Sequence, residues 1–171
     1  AAQAPRVDLF LIETISVIRE AQAAVEAAQD STQPVLLSFT LSDEEAGKLR
    51  SGEPVADAVT ALAGYNLSGL LFNCSYPESI TEGLKQLAGL AIPCGGYANG
   101  FTSVEPLKPG GTVDALSARK DLDEQHYATE VMNWVEGGAS IVGGCCEVGP
   151  SYIAKLREEL ESRGYSVSGL K

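Results

Sequence analysis

The stretches LLFNCSYP, Leu70–Pro77, and SIVGGCCEVGP, Ser140–Pro150, decide how the rest of the chain is read. Each opens as a short apolar run, ends in cysteine (Cys74 in the first, Cys145 and Cys146 in the second) and meets a proline a few residues later. A short apolar run is the pattern of a strand buried on both faces, and proline at the first helical position is a common helix opening. Both stretches therefore read as strand–loop–helix units with cysteine at the carboxyl end of the strand. In a barrel of parallel strands that end is the rim on which active sites are built, because the strands stop and the βα loops begin there.

The same rhythm recurs outward from these two units. Val7–Ile12 is an apolar run followed by a helical pattern with Ile15, Ile18, Val25 and Ala28 on one face. Pro34 introduces the strand VLLSF, ending near Phe39 and Thr40. Ser42 and Glu45 have capping-box spacing, which predicts a short helix there. Gly52 and Pro54 precede a helical stretch in which Val55, Val59 and Leu62 share a face. LSGLLFNC is the third strand, and the helix from Pro77 carries Ile80, Leu84 and Leu87. AIPCGGYAN, residues 91–99, is the fourth strand. From Phe101 to Asp121 the chain is rich in Gly, Pro and polar residues, and loops this long in a compact domain are usually functional or disordered. The next segment, residues 121–138, reads as a helix with Val131, Trp134 and Val135 inward. The fifth strand runs into the cysteine pair, and the last helix opens at Pro150, buries Ile153, Leu156 and Leu160 and ends at Gly164.

Strands alternating with helices argue for an α/β fold with a parallel sheet and right-handed crossovers. No linker divides residues 1–171, so the chain reads as one domain. Its five βα units suffice for an open sheet, and they equally match the last five units of an eight-stranded barrel. A complete barrel typically needs about 250 residues, against 171 here. The chain opens on Ala1 rather than Met and enters a strand almost at once, which reads as a chain with its beginning removed.

Composition narrows the function classes. A formal net charge of −11 opposes a phosphate backbone, so nucleic acid is not the expected partner. No apolar run has the length of a membrane span and no signal segment opens the chain. Four cysteines in a chain of this size do not make a disulfide scaffold. Thiols kept for metal or chemistry in a reducing cytoplasm fit better.

Three thiolates converging at a rim form a catalytic zinc site with one coordination position left open. Neighbouring strand residues point to opposite faces, so Cys145 and Cys146 share a metal only if the backbone bends, as Gly143 and Gly144 permit. The residues alone leave two readings open, a zinc site or cysteines packed as small hydrophobes, since no short ligand signature such as C-x2-C is present. Cys94 lies early in its strand and reads as core. His126, the only histidine, reads as a surface or packing residue, and Trp134 as core. GGYANG lacks the spacing of a nucleotide loop. Glu13 alone is a solvated strand-end acid, while Asn73 and Asn99 either position a substrate or stabilise turns.

GGCC at Gly143–Cys146 followed by Pro150 and Ile153, and FNC ending at Cys74, resemble the homocysteine S-methyltransferase family. Glu13–Thr14, LSFT at Leu37–Thr40 and GYAN at Gly96–Asn99, where the family tends to have YPN, extend the likeness in the family's order along essentially the whole chain. The resemblance implies a (β/α)8 TIM-type barrel of which this chain carries strands four to eight. The first three units, with a Gly-rich substrate loop, have no counterpart here. It implies zinc held by Cys74, Cys145 and Cys146, and methyl transfer to the thiol of homocysteine, giving methionine. It also places Glu13 on the homocysteine amino group, with Asn73 and Asn99 on the substrate side. Relatives use S-methylmethionine, S-adenosylmethionine, betaine or methylcobalamin as donor. Two departures stand out: many members carry two hydroxyl residues between the second cysteine and the proline, then a histidine. Here the residues are Glu147, Val148, Gly149 and Tyr152, and Ala98 replaces the proline of YPN. Alternative readings are a module of a cobalamin-dependent methionine synthase, methylation of another small thiol or selenol, and a non-catalytic barrel fragment. Unpaired strand edges would favour self-association or pairing with an amino-terminal barrel part.

Overall fold

The computed structural model describes residues 3–104 and 112–169. Five strands alternate with five helices: β1 Phe10–Ile15, α1 Ile18–Gln29, β2 Val35–Phe39, α2 Val55–Leu62, β3 Gly69–Asn73, α3 Pro77–Gln86, β4 Cys94–Tyr97, α4 Glu124–Glu136, β5 Ile141–Val142 and α5 Pro150–Ser162. All neighbouring strands pair in parallel, in the order β1-β2-β3-β4-β5. A doubly wound sheet reverses direction at a switch point, whereas a sheet in strict chain order sends every crossover helix to the same face. The fold is therefore α/β of the TIM-barrel type, represented by five consecutive βα units.

Strand register divides the side chains into two sets. Val35, Leu37 and Phe39 of β2 and Leu70 and Phe72 of β3 face the helices and join Ala21, Val25, Ile80, Val131 and Trp134 in one core. Burying each large apolar side chain contributes roughly 1.5–3 kcal/mol, so this layer supplies most of the driving force. The alternate residues line the concave face. Leu36 and Leu71 are buried there, Leu11 on the edge strand β1 is 40% exposed, and Glu13, Ser38, Asn73 and Tyr97 form a polar layer nearest the rim. Gly95 of β4 has to be glycine, since a Cβ on it would lie 1.7 Å from the Ile141 carbonyl oxygen of the paired strand.

Four details differ from the sequence reading. β1 runs Phe10–Ile15 rather than Val7–Ile12, with an irregularity between Ile12 and Ile15 at which Thr14 takes φ +64°. Ile15 thus pairs with Phe39 and belongs to the strand, not to the helical face assigned to it. The apolar run stops at Glu13, but the ladder does not, because a carboxylate at the rim still faces solvent. Ser42 does accept from the backbone N–H of Glu44 and Glu45, as a cap would, yet no helix follows. Burial of Leu41 and Leu49 against each other overrides the cap, and the chain doubles back through the bridges Leu41–Leu49 and Lys48–Pro54. Ile153 is 41% exposed rather than buried, because its position on α5 faces the turn at Gly144–Val148 instead of the core. The long segment after β4 closes at its base through Thr102 N–H to Ser117 and Arg119 N–H to Gly100; residues 105–111 of it lie outside the described residues.

Candidate metal centre

The three rim cysteines are presented by two different turns. β3 ends at Asn73, and Cys74 follows in left-handed backbone at φ +51°, its N–H donating to Tyr97 O at 3.2 Å. β5 is only two residues long, but the chain runs on beside β4, with Gly143 N–H on Gly96 O at 3.2 Å. A Cβ on Gly144 would fall 2.2 Å from Val148 Cγ1, so the tight turn requires glycine there. Cys145 N–H then donates to Ala98 O at 2.9 Å, Val148 N–H closes the turn onto Cys145 O at 3.1 Å, and Cys146 O accepts from Gly100 N–H at 2.9 Å. Glu147 completes the turn at φ +64°. The bend that lets adjacent cysteines face one point is the turn from Cys145 to Val148, one step beyond the glycines at which the sequence suggested it.

As a result the sulfurs of Cys74, Cys145 and Cys146 all lie within 4.8 Å of one another, and those of Cys145 and Cys146 are 3.9 Å apart. Tetrahedral zinc with Zn–S of about 2.3 Å sets its sulfurs about 3.8 Å apart, so the cluster fits that ion after a small contraction. Three soft thiolates with no fourth protein donor among the described residues would leave one position open, the pattern of a catalytic rather than a structural site. Cys94 stands apart at the start of β4, its thiol donating to Ile92 O at 3.3 Å, as expected of a core residue.

Crowded thiols titrate against one another. Cys145 is lowered to about 6, chiefly because the Cys74 S–H donates to it; burial opposes this, while contacts from Cys146 and Asn73 assist. Cys74 is raised strongly by the same hydrogen bond and by burial, and Cys146 is raised by burial and the neighbouring charge. Without metal, then, the cluster holds one thiolate and two thiols, and a cation would displace the two remaining protons.

Around the sulfurs runs a ring of fixed polar groups. Asn73 is fully buried: Oδ1 accepts from Thr14 N–H at 3.0 Å and Ser38 Oγ at 2.8 Å, and Nδ2 donates to Thr14 Oγ1 at 2.9 Å. Asn99 is also buried; its Oδ1 accepts from Phe101 N–H at 3.1 Å, and its Nδ2 lies 4.0 Å from Cys74 Sγ. Glu13 is exposed on the concave face, its Oε2 accepting from Tyr97 OH at 3.1 Å. Tyr97, whose hydroxyl burial pushes upward, stays a neutral donor. Tyr127 donates to Gly143 O at 2.6 Å and accepts from Ala98 N–H at 3.2 Å, locking the ends of β4 and β5 together. Tyr152 points inward, its ring edge-on to Tyr127 and its hydroxyl donating to Leu122 O. His126 is on the surface of α4 with Nδ1 at 2.7 Å from Asp121 O, and Trp134 is core with Nε1–H donating to Thr81 Oγ1.

All six residues singled out for the site thus lie at one rim. Two contributors escaped the sequence reading. Tyr97 lay inside the quoted GYAN motif and could have been found by its register beside Asn73. Arg50, whose Nη2 donates to Cys74 O, sits in a loop with no motif to mark it.

The profile described as homocysteine S-methyltransferase matches residues 1–160. The homocysteine S-methyltransferase of Escherichia coli K12 is 33% identical over 156 residues, covering 88% of this chain and 47% of that protein. A Pongo abelii protein, S-methylmethionine–homocysteine S-methyltransferase BHMT2, is 32% identical over 179 residues, covering 93% and 46%. Among solved structures, the apo form of the Escherichia coli homocysteine methyltransferase MmuM superposes with a TM-score of 0.66 at 29% identity, covering 90% of this chain and 49% of that one. The chain spans about half the length of the curated relatives it matches.

The titration order has a direct check. In the reduced, metal-free chain, iodoacetamide should modify Cys145 first and Cys74 last. A lowered thiol is ionised above its folded pKa and protonates as pH falls through it, so Cys145 alkylation should halve near pH 6. Cys74→Ala should move that midpoint upward by removing the donor; peptide mapping across pH reads both outcomes.

Proposed function

The chain belongs to the homocysteine S-methyltransferase family, and on that premise we propose that it carries the metal- and substrate-binding rim of an enzyme that methylates the thiol of homocysteine to give methionine. The observation that carries this reading is the convergence of Cys74, Cys145 and Cys146 within 4.8 Å, with no fourth protein ligand among the described residues. Cys74, Cys145 and Cys146 would hold zinc, which would supply Lewis acidity and favour the ionised form of a thiol at neutral pH. In the balanced reaction the thiol proton goes to solvent, a carbon–sulfur bond forms, and the bond between methyl and the donor's onium atom breaks. The donor leaves neutral at that atom.

The chain's own groups do the orienting. Glu13 faces the concave side and accepts the substrate ammonium, while the Tyr97 hydroxyl keeps its carboxylate in place. Asn73 and Asn99 serve the substrate indirectly. Asn73 spends its amide on Thr14 and Ser38, fixing β1 beside β3 so that Glu13 and Cys74 share a rim. Asn99 shapes the turn against Cys74. The acidic chain does not repel a cationic donor, and an onium compound such as S-methylmethionine, named for one relative, fits that charge. Free thiols of this kind belong in a reducing compartment such as the cytoplasm.

Residues 1–171 form one unit of this barrel in the proposal, and three further βα units would close it. β1 and β5 each have one edge unpaired within the sheet, and Leu11 opens the concave face to solvent. Such edges pair readily with another chain.

Three measurements test the reading. Metal analysis should find one zinc per reduced chain; Cys74→Ser, Cys145→Ser and Cys146→Ser should each lose it, while Cys94→Ser retains it. Zinc retained by Cys74→Ser but lost from Cys94→Ser overturns the ligand set. Glu13→Ala should weaken homocysteine binding by about 1.5–3 kcal/mol, the worth of a hydrogen bond to a charged group, with zinc content unchanged; calorimetry showing equal affinity removes Glu13 from the site. Light scattering should find the chain self-associated, or paired when the amino-terminal part is supplied, and a monodisperse monomer with full turnover would contradict the need for closure.

A further inference from the structure

Cys74 is the one proposed ligand whose backbone is neither glycine-assisted nor part of a regular element. It follows the last residue of β3 and adopts φ +51°, a region that residues with a Cβ avoid. Its N–H is tied to Tyr97 O, which fixes one side of the residue. The other side, the carbonyl, is fixed from a neighbouring unit: Arg50 Nη2 donates to Cys74 O at 2.5 Å. A guanidinium donor makes a charge-assisted bond, and its planar fork sets direction as well as distance.

Arg50 is itself anchored. It lies half-buried in the segment between β2 and α2, with its N–H on Thr40 O at 3.0 Å and the neighbouring Leu49 fully buried. That segment is clamped to both flanking units. Glu53 Oε2 accepts from Ile18 N–H at 3.0 Å, capping α1, and Asp43 Oδ1 accepts from Tyr76 N–H at 2.7 Å and from Ser79 Oγ at 3.1 Å, capping α3. Neither helix has a side-chain cap from its own N-cap residue. Leu41 N–H on Ser75 Oγ at 2.8 Å completes the tie beside the cysteine. Among the described residues no carboxylate lies at ion-pair distance from Arg50, although its charge reaches Asp43, and the carbonyl of Cys74 accepts from its side chain.

We propose that Arg50 is a positioning residue for the metal centre: by holding the Cys74 carbonyl it keeps Cys74 in the left-handed turn that aims its sulfur at Cys145 and Cys146. Removing the donor frees the carbonyl, the turn relaxes toward extended backbone, and the sulfur swings away from the other two. The idea rests on the metal reading for its consequence, but not for its geometry.

The full chain, reduced and metal-free, gives the first readout. Backbone carbon shifts of Cys74 report its conformation, and Arg50→Met, which keeps the apolar stem, should move them from left-handed to extended values. Arg50→Lys should fall between, and it stands in should Arg50→Met fail to fold. Glu53→Gln loosens the same loop without touching Cys74 and should leave those shifts unchanged; if it mimics Arg50→Met, the role is merely structural and the proposal fails. The second readout is cobalt loaded in place of zinc. Arg50→Met should release it to a chelator about 10–100-fold faster, the usual range for groups that orient metal ligands, with weaker thiolate-to-cobalt absorption. Left-handed shifts at Cys74 in Arg50→Met, or release at the wild-type rate, overturn the proposal. A wild-type chain that takes up no cobalt would count against the metal reading, and the Cys74 shifts would still decide the role of Arg50.

Discussion

The buried carboxamide of Asn73 holds the rim together. It sits at the end of β3, binds the backbone and hydroxyl of Thr14 on β1 and the hydroxyl of Ser38 on β2, and lies close enough to Cys145 to help lower its pKa. A carboxamide without partners at such depth would cost a few kcal/mol, so the three strands are bound to the register that satisfies it. Thr14 meets the amide only because the irregularity in β1 turns it there at φ +64°. The same irregularity follows directly on Glu13. The placement of the acid and of the first thiol thus descends from one side chain that touches neither reacting group.

The two faces of the sheet answer to different physics. The helix face is apolar and close-packed, and would tolerate many sequences of similar volume. The concave face is specified residue by residue: Gly95 for close approach of β5, Tyr97 for Glu13, Tyr127 for the carbonyl of Gly143. The thiol cluster belongs to the second kind. One thiolate stabilised by a neighbouring S–H is the best that three crowded sulfurs can reach alone. A dication would relieve that arrangement, since the three residues would bind it as thiolates. On the proposed reading, the cluster is thus electrostatically suited to a dication.

Much of this was legible in the sequence, and the lapses share a cause. β2 and β3 were read to within a residue or two because buried parallel strands are continuous apolar runs bounded by turn residues. The helices from Pro77 and Pro150 were marked by their prolines. The cysteines were legible as strand-end residues, but the turn that brings the adjacent pair together lies at Cys145–Val148, with Glu147 at φ +64°, and not at the glycines before it. Where reading failed, a long-range contact had outvoted a local signal. Ser42 made its cap bonds, but Leu41 and Leu49 gained more by burial than a short helix would have offered. Glu13 looked like the end of a strand because polarity was read as termination, whereas β1 runs through it to Ile15. Arg50 gave no signal at all, since what makes it matter is a carbonyl 24 residues away.

The division between binding metal and transferring a methyl group follows from which walls the five units supply. Every proposed ligand comes from the ends of β3 and β5, and every contact that fixes those ends lies within the sheet β1 to β5 or its loops. Assembling the thiolates therefore asks nothing of further strands. Transfer of a methyl group from a cationic donor asks for more: the thiolate nucleophile and the onium must meet where water is excluded and charge is not screened. Here Cys146 and Glu13 are exposed, and Leu11 on β1 has no neighbour beyond it in the sheet. The same concave surface that holds the sulfurs in place leaves Cys146 exposed and Cys74 and Cys145 only half-buried. On the proposed reading, metal affinity is thus a property of these five units, and catalytic rate a property of whatever closes over them.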